Sequence, residues 1–185
     1  MAAENGPPRP KQDAKGNPIR YAATGHASNY NETHLQEIID AGLPLPSINQ
    51  CPFNPYRGAS QMKTLEFCRR QGIAITAYSP LGSPAAGGPT PLLSEPVIRQ
   101  IAAAQGASPA QVLLAWGIAT GTAVIPKSVQ RERLAANLAA AQLRLTPPEL
   151  AQIAALDRQH RFGDGSIWEL PGGPYNRETL WDEPG

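Results

Sequence analysis

Three side chains are placed where they could do chemistry together. Lys127 and Ser128 follow a short apolar run, Ala123-Val124-Ile125, that stops at Pro126. Arg133 lies just beyond, in the first turn of a helix-like stretch over residues 131–142. The free N–H groups and positive dipole end of a helix N-terminus favour an anion. Lys127 adds a point charge and Ser128 a hydroxyl donor. A cation in a first helical turn, as at Arg133, is locally unfavourable unless an anion is near. One reading is a phosphate site. The other is a solvated strand-to-helix loop with ordinary basic residues, and these residues alone do not decide between them.

The elements that would position this loop sit in a chain of 185 residues, 41% hydrophobic and 17% charged, with a net charge of +1. That is the composition of one globular domain with no electrostatic bias toward nucleic acid or membranes. No apolar run is long enough to span a bilayer. The polar, proline-rich opening does not read as a secretory signal. Cys51 and Cys68 share no metal or redox spacing and read as free thiols, which leads to the expectation of a cytoplasmic protein. His26, His34 and His160 are scattered, so no metal site is expected.

Residues 1–18 hold Gly6-Pro7-Pro8-Arg9-Pro10 and Lys15-Gly16-Asn17-Pro18 and read as a loop or tail. Residues 19–27 form a strand candidate. Asn31 follows as an N-cap, with Glu32 in the first turn, Leu35, Ile38 and Ile39 at helical spacing, and Gly42 as the stop. Residues 46–50 are a second strand and residues 60–71 a helix closed by Gly72. The clearest strand is 73–78, apolar enough to be expected to bury both faces. A loop rich in Gly, Pro and Ser covers 79–91. A helix opens at Ser94-Glu95-Pro96 and runs to about 105. Capping boxes at Ser108-Pro109-Ala110-Gln111 and Thr146-Pro147-Pro148-Glu149 open helices to about 119 and 157. Between them lie a strand at 122–125 and the helix at 131–142. Residues 161–185 are irregular and carry Trp168 and Trp181, which suggests a tail packed onto something.

Strand and helix thus alternate four times, which predicts an α/β fold with a parallel sheet and right-handed crossovers. Ser28-Asn29, Gln50, Tyr78-Ser79 and Lys127-Ser128 all follow strand ends. In parallel α/β folds, sites lie at the carboxyl ends of the strands. Taken singly, Gln50 could satisfy backbone groups at a strand end, Tyr78 could belong to the core, and Asn29 could be a turn residue.

Read in order, Ser28-Asn29-Tyr30, Asn49-Gln50, Ala77-Tyr78-Ser79-Pro80-Leu81-Gly82, Ser108-Pro109-Ala110-Gln111-Val112-Leu113-Leu114 and Ile125-Pro126-Lys127-Ser128 resemble the C-terminal half of an aldo-keto reductase. The tail Glu178-Thr179-Leu180-Trp181-Asp182-Glu183 is similar to fungal glycerol dehydrogenase and aldehyde reductase-like members. The resemblance implies the (β/α)8 TIM-barrel family, here only about its last four β/α units as a partial barrel with a C-terminal tail. The expected division is a loop or tail at 1–18, a barrel domain at 19–160 and a tail at 161–185. NADP(H) is the cofactor that the resemblance implies. Ser28, Asn29 and Gln50 would hydrogen-bond the nicotinamide carboxamide, and Tyr78 would stack under the ring. Ser79, Leu81 and Ser83 would line the pyrophosphate. Lys127, Ser128 and Arg133 would hold the 2′-phosphate, and Asn137 would reach the adenine. Ala136 departs from the glutamate or glutamine common in the family at that edge.

The family's acid, a tyrosine, follows an aspartate in Asp-x-x-x-x-Tyr. None of Tyr21, Tyr30, Tyr56, Tyr78 and Tyr175 has an aspartate five positions before it. Lys63 falls in a helix start and His26 outside the family's histidine motif, so no catalytic residue is carried over. Residues 10–18 resemble the loop after the family's fourth strand, so a truncated half-reductase is expected. Its partner would be a small carbonyl or alcohol, with no nucleic acid and no membrane. Two open sheet edges would leave the half-barrel able to pair with a second copy of itself. The alternatives are a non-catalytic NADPH-binding or interaction module, and a non-functional fragment.

Overall fold

The computed structural model describes residues 25–83, 90–163, 165 and 171. Residues 1–24, most of the 161–185 tail with both of its tryptophans, and part of the 79–91 loop lie outside the described residues. Four strands form one parallel sheet in the order β1-β2-β3-β4: β1 His26–Ser28, β2 Ile48–Pro52, β3 Ala74–Tyr78 and β4 Ala123–Val124. α1 Glu32–Asp40 follows β1, and α2 Gly58–Arg70 follows β2. Two helices, α3 Pro96–Ala104 and α4 Pro109–Ala119, lead from β3 to β4. α5 Arg131–Ala139 and α6 Pro147–Ala154 come after β4. The result is an α/β partial barrel, with β1 and β4 at the sheet edges among the described residues.

The helix starts are set by their caps. Asn31 Oδ1 accepts from His34 N at 3.0 Å while His34 Nδ1 accepts from Asn31 N at 3.3 Å. Ser108 and Gln111 close the same reciprocal pair, with Ser108 N donating to Gln111 Oε1 at 2.9 Å. Thr146 N donates to Glu149 Oε2 at 2.7 Å at the head of α6. Each box satisfies backbone donors that the helix itself cannot pair.

α4 is apolar all round and is accordingly the central helix, with residues 112–117 buried in succession. Trp116 stacks on Phe53 with ring centroids 5.3 Å apart. Gly117 is required by a close approach: a Cβ there would lie 2.7 Å from Val124 Cγ1, so the glycine lets α4 sit against β4.

The expectation that β3 buries both faces is corrected. Ile75 and Ala77 are buried, but Ala74 is exposed and Thr76 and Tyr78 are half-buried. Register places Asn49 beside Ile75 and Cys51 beside Ala77 on the buried face, and Gln50 beside Thr76 on the open one. The core lies on one side of the sheet only, so the apolar run records one packed face and a run of small or apolar side chains on the other. The helix expected at 131–142 divides into α5 and a 3-10 turn at Ala140–Gln142. α2 opens at Gly58 rather than at 60, because a 3-10 turn at Pro55–Arg57 leads straight into it.

Candidate functional site at the carboxyl ends of the strands

Parallel pairing brings the ends of β1, β2 and β3 side by side. Ser28 pairs with Gln50, and Asn29 N donates to Gln50 O at 2.9 Å, which extends the ladder one residue past β1. The chain then turns sharply. Asn29 has a φ of 61° and Ser79, just after β3, a φ of 47°. Left-handed backbone is uncommon away from glycine, and strained residues of this kind cluster at functional sites. Asn49 supports the first turn from beneath. It is fully buried, donates Nδ2–H to Tyr30 O at 2.8 Å, and accepts from Tyr30 N at 3.4 Å.

Tyr78 Oη donates to Asn29 Oδ1 at 2.8 Å. Burial pushes the Tyr78 hydroxyl up from its ordinary value, and the positive charge of Arg161 and then of Arg57 pulls the other way. The phenol therefore stays a neutral donor at neutral pH. Cys51 and Cys68 are buried below the site. Burial, with the neighbouring Cys68, pushes the Cys51 thiol up to about 12, and burial raises Cys68 as well. Such thiols are inert rather than nucleophilic.

Beside Tyr78 lies a cavity of about 220 Å³ lined by Pro52, Asn54, Arg57, Tyr78, Ser79, Ser83, Arg161, Phe162 and Gly163. It holds three of the residues singled out in the sequence, Tyr78, Ser79 and Ser83. Leu81 is half-buried next to it, with its carbonyl accepting from Thr90 Oγ1 at 2.7 Å. Ser28 and Asn29 stand at the end of β1, and Gln50 pairs beside Ser28 in the middle of β2, which runs on to Pro52 rather than ending at Gln50 as expected. Lys127, Ser128, Arg133 and Asn137 are not part of the cavity wall. Lys127 and Arg133 are exposed on the loop and first turn after β4, and Ser128 Oγ accepts from Gln130 N at 3.2 Å. α5 buries none of its residues.

Sequence reasoning missed Arg57, Asn54, Arg161 and Phe162. Asn54 Oδ1 caps the 3-10 turn by accepting from Tyr56 N at 3.1 Å, which fixes Arg57 at the cavity. The C-terminal segment is clamped to the same turn. Arg158 N and His160 N both donate to Tyr56 O, at 3.0 and 2.8 Å. The Arg158 guanidinium lies 4.3 Å from the Tyr56 ring centroid, and the Phe162 ring stacks on Tyr56 at 5.8 Å. Tyr56 Oη donates to Glu95, which also pairs with Arg158 at 2.6 Å. Asn54-Pro55, a capping residue before a proline, was the one signal in the sequence for this turn.

The family model for the aldo/keto reductase family matches residues 19–158. The chain belongs to the aldo/keto reductase family. An aldo/keto reductase of Synechocystis is 48% identical over 84% of this chain and 49% of its own length. A 9,11-endoperoxide prostaglandin H2 reductase of Trypanosoma cruzi is 37% identical over 79% of this chain and 50% of its own. A probable NAD(P)H-dependent D-xylose reductase of Emericella nidulans is 38% identical over 78% and 47%. The crystal structure of Gox0644 in its apo form superposes with a TM-score of 0.62 at 35% identity, over 71% of this chain and 45% of that one. The chain thus spans about half the length of these aldo/keto reductases. Among the described residues no helix is long and apolar enough to cross a membrane, and no group of His, Cys, Asp and Glu could hold a metal ion.

Proposed function

We propose that this chain is the cofactor-binding part of an NADP(H)-dependent oxidoreductase that reduces aldehydes or ketones to alcohols. The observation that carries the proposal is the Asn29–Tyr78 hydrogen bond at the carboxyl end of the sheet, within a family of reductases. The donor set fits a nicotinamide dinucleotide. Ser28, Asn29 and Gln50 offer a hydroxyl and two amides on adjacent strands, side by side through the Ser28–Gln50 pairing, suited to a carboxamide. The half-buried Tyr78 ring offers a stacking surface, and Ser79, Leu81 and Ser83 follow it as the wall for the bridging phosphates. Lys127, Ser128 and Arg133 supply two cations and a hydroxyl for a 2′-phosphate, with Asn137 on the same helix for the adenine. When bound, the dinucleotide supplies a hydride. This chain's residues bind and orient it: Tyr78 is held in place by Asn29, Asn29 by its own strained turn, and that turn by Asn49.

Reduction also needs an acid that protonates the carbonyl oxygen. This sequence contains no Asp-x-x-x-x-Tyr, which favours a second reading, a non-catalytic NADPH-binding or interaction module. The test is a tryptophan-fluorescence titration of the purified chain with NADPH and NADH, followed by an assay of carbonyl-dependent NADPH oxidation. Saturable quenching by NADPH, weaker with NADH and weakened by Lys127→Ala or Arg133→Ala, supports the cofactor site. A flat titration overturns it. Oxidation of NADPH only when a carbonyl is added selects the enzyme over the module.

A further inference from the structure

Among the described residues the sheet is covered on one face only. Ile75 and Ala77 face the core, while the alternate residues Ser28, Gln50, Thr76, Tyr78 and Ala123 face the other way and are exposed or half-buried. Parallel sheets occur almost only with both faces covered. The four strands contain no Asp, Glu, Lys or Arg. Neither the open face nor the edge strands β1 and β4 therefore carry the charges that commonly keep a sheet edge from pairing with another chain. The helix layer ends in two unlike flanks. α5 packs on α4 at the β4 end and buries none of its residues. Val129 just before it is 82% exposed, Leu138 on it 79%, and Leu134 is exposed as well. Lys127, Arg131 and Arg133 outnumber Glu132 on this flank. α1 packs on α2 at the β1 end. It carries Glu32, Glu37 and Asp40 and no Lys or Arg, and Leu43 just beyond it is exposed. One end of the layer is thus basic and apolar, and the other is acidic.

We propose that the open face and its two edges bind a second copy of this chain, closing a two-fold barrel of eight parallel strands in which β4 of each copy lies beside β1 of the other. Three observations single out a second copy as the occupant. Four parallel strands are half of eight, the number at which side chains just fill a barrel's interior. A half-turn about the barrel axis keeps every strand parallel and sets α5 of each copy against α1 of the other. At both seams the basic flank then meets the acidic one, and the exposed leucines of α5 gain cover. A partner that fits one edge leaves the other open, whereas a second copy closes both with the same pair of surfaces. Opposite charge decides which flanks meet, and burial of the leucines supplies affinity. The pairing needs no bound cofactor, so it stands or falls apart from the nucleotide reading.

The experiment is sedimentation equilibrium of the full chain over a dilution series, on the parent, on Leu138→Asp, on Arg131→Glu, and on Arg131→Glu combined with Glu37→Lys and Asp40→Lys. The parent should sediment at twice the 19.7 kDa of one chain and dissociate on dilution. Leu138→Asp should weaken the dimer about tenfold or more. Arg131→Glu should weaken it severalfold at low salt, and the two α1 changes in the same chain should recover most of that loss. Leu138, Arg131, Glu37 and Asp40 are all exposed within one copy, so the variants keep its core, and circular dichroism checks that they fold. A parent that stays monomeric at every concentration overturns the proposal, because the face is then left open or covered by something other than a second copy. An open-ended polymer overturns closure. A dimer indifferent to both Leu138→Asp and Arg131→Glu, or one lost with Arg131→Glu and not recovered by the α1 changes, overturns the α1–α5 seam and the barrel with it.

Discussion

Tyr78 and Asn29 are joined by a hydrogen bond that crosses over an intervening strand. Tyr78 ends β3 and Asn29 follows β1, with β2 between them, and the phenol donates to the amide oxygen at 2.8 Å. The bond spends the tyrosine's donor on the asparagine, leaving the Asn29 amide N–H groups directed elsewhere, one of them to Ser28 Oγ at 3.3 Å. Tyr78→Phe keeps the ring and removes the donor. We expect a stability loss of about 1 kcal/mol in urea unfolding, with NADPH affinity weakened severalfold. Unchanged NADPH affinity in a folded Tyr78→Phe variant would show that Asn29 does not need the tyrosine to be oriented.

Gly82 is confined twice over. Its φ is +76°, and a Cβ there would meet Thr90 Oγ1 at 2.6 Å and Phe162 Cζ at 2.8 Å. Gly42 has a φ of +64° with nothing within 4 Å of its Cβ position. Gly42→Ala should therefore cost only the left-handed strain, about 1 kcal/mol. Gly82→Ala should cost more than that, because Phe162 must also move off the cavity wall. Chemical denaturation of the two variants side by side checks the difference, and equal costs would contradict the contact with Phe162.

The clamp on the C-terminal segment runs through Glu95, which is joined to Arg158 across 63 residues of sequence and to the Tyr56 hydroxyl. Glu95→Ala removes the acceptor from both. A loss of about 1 to 2 kcal/mol is expected, since the carboxylate is mostly buried and the guanidinium more than half exposed. Hydrogen exchange gives the specific signature. The amides of Arg158 and His160, which donate to Tyr56 O, should exchange faster, while those of α4 should not.

Stability should decline at alkaline pH. Cys51 is held at about 12 against an ordinary value of 9.0, with burial as the main cause, and Cys68, Tyr56 and Tyr78 are raised in the same direction. The folded chain then keeps protons that the unfolded chain releases, so unfolding releases protons and higher pH favours it. Stability from these groups is fully present below pH 9.0 and falls as pH rises toward about 12. Urea midpoints between pH 7 and pH 11 check this. In the native state at pH 8 a thiol reagent should label both cysteines slowly, and rapidly once the chain is unfolded.

Much of the fold was legible because its signals are local. The caps at Asn31, Ser108 and Thr146 announce helix starts through side-chain to backbone bonds that span three residues, and the structure contains all three. The alternation of strand and helix carried the parallel sheet, and with it the convergence of Ser28, Asn29, Gln50 and Tyr78. The cavity was hidden for the opposite reason. Arginines are seldom buried, and nothing in the sequence near Arg57 marks it as an inward residue. Arg161 reaches the cavity in a segment whose neighbours Arg158 and His160 are tied to Tyr56, far away in the chain. The two packed faces expected of β3 failed on the same ground, since an apolar run does not say how many layers cover it.

The attachment of residues 158–162 to Tyr56 also fixes an order of events. Contacts between segments so distant in sequence carry a large loop-closure entropy and form slowly. On a ribosome the 3-10 turn is made long before its clamp. During that interval the Tyr56 carbonyl lacks the two N–H donors of Arg158 and His160, while the Tyr56 hydroxyl can already reach Glu95. The clamp of residues 158–160 on Tyr56 spans about a hundred residues, further than the Phe53–Trp116 stack that helps to bury α4, so it is expected to close after it.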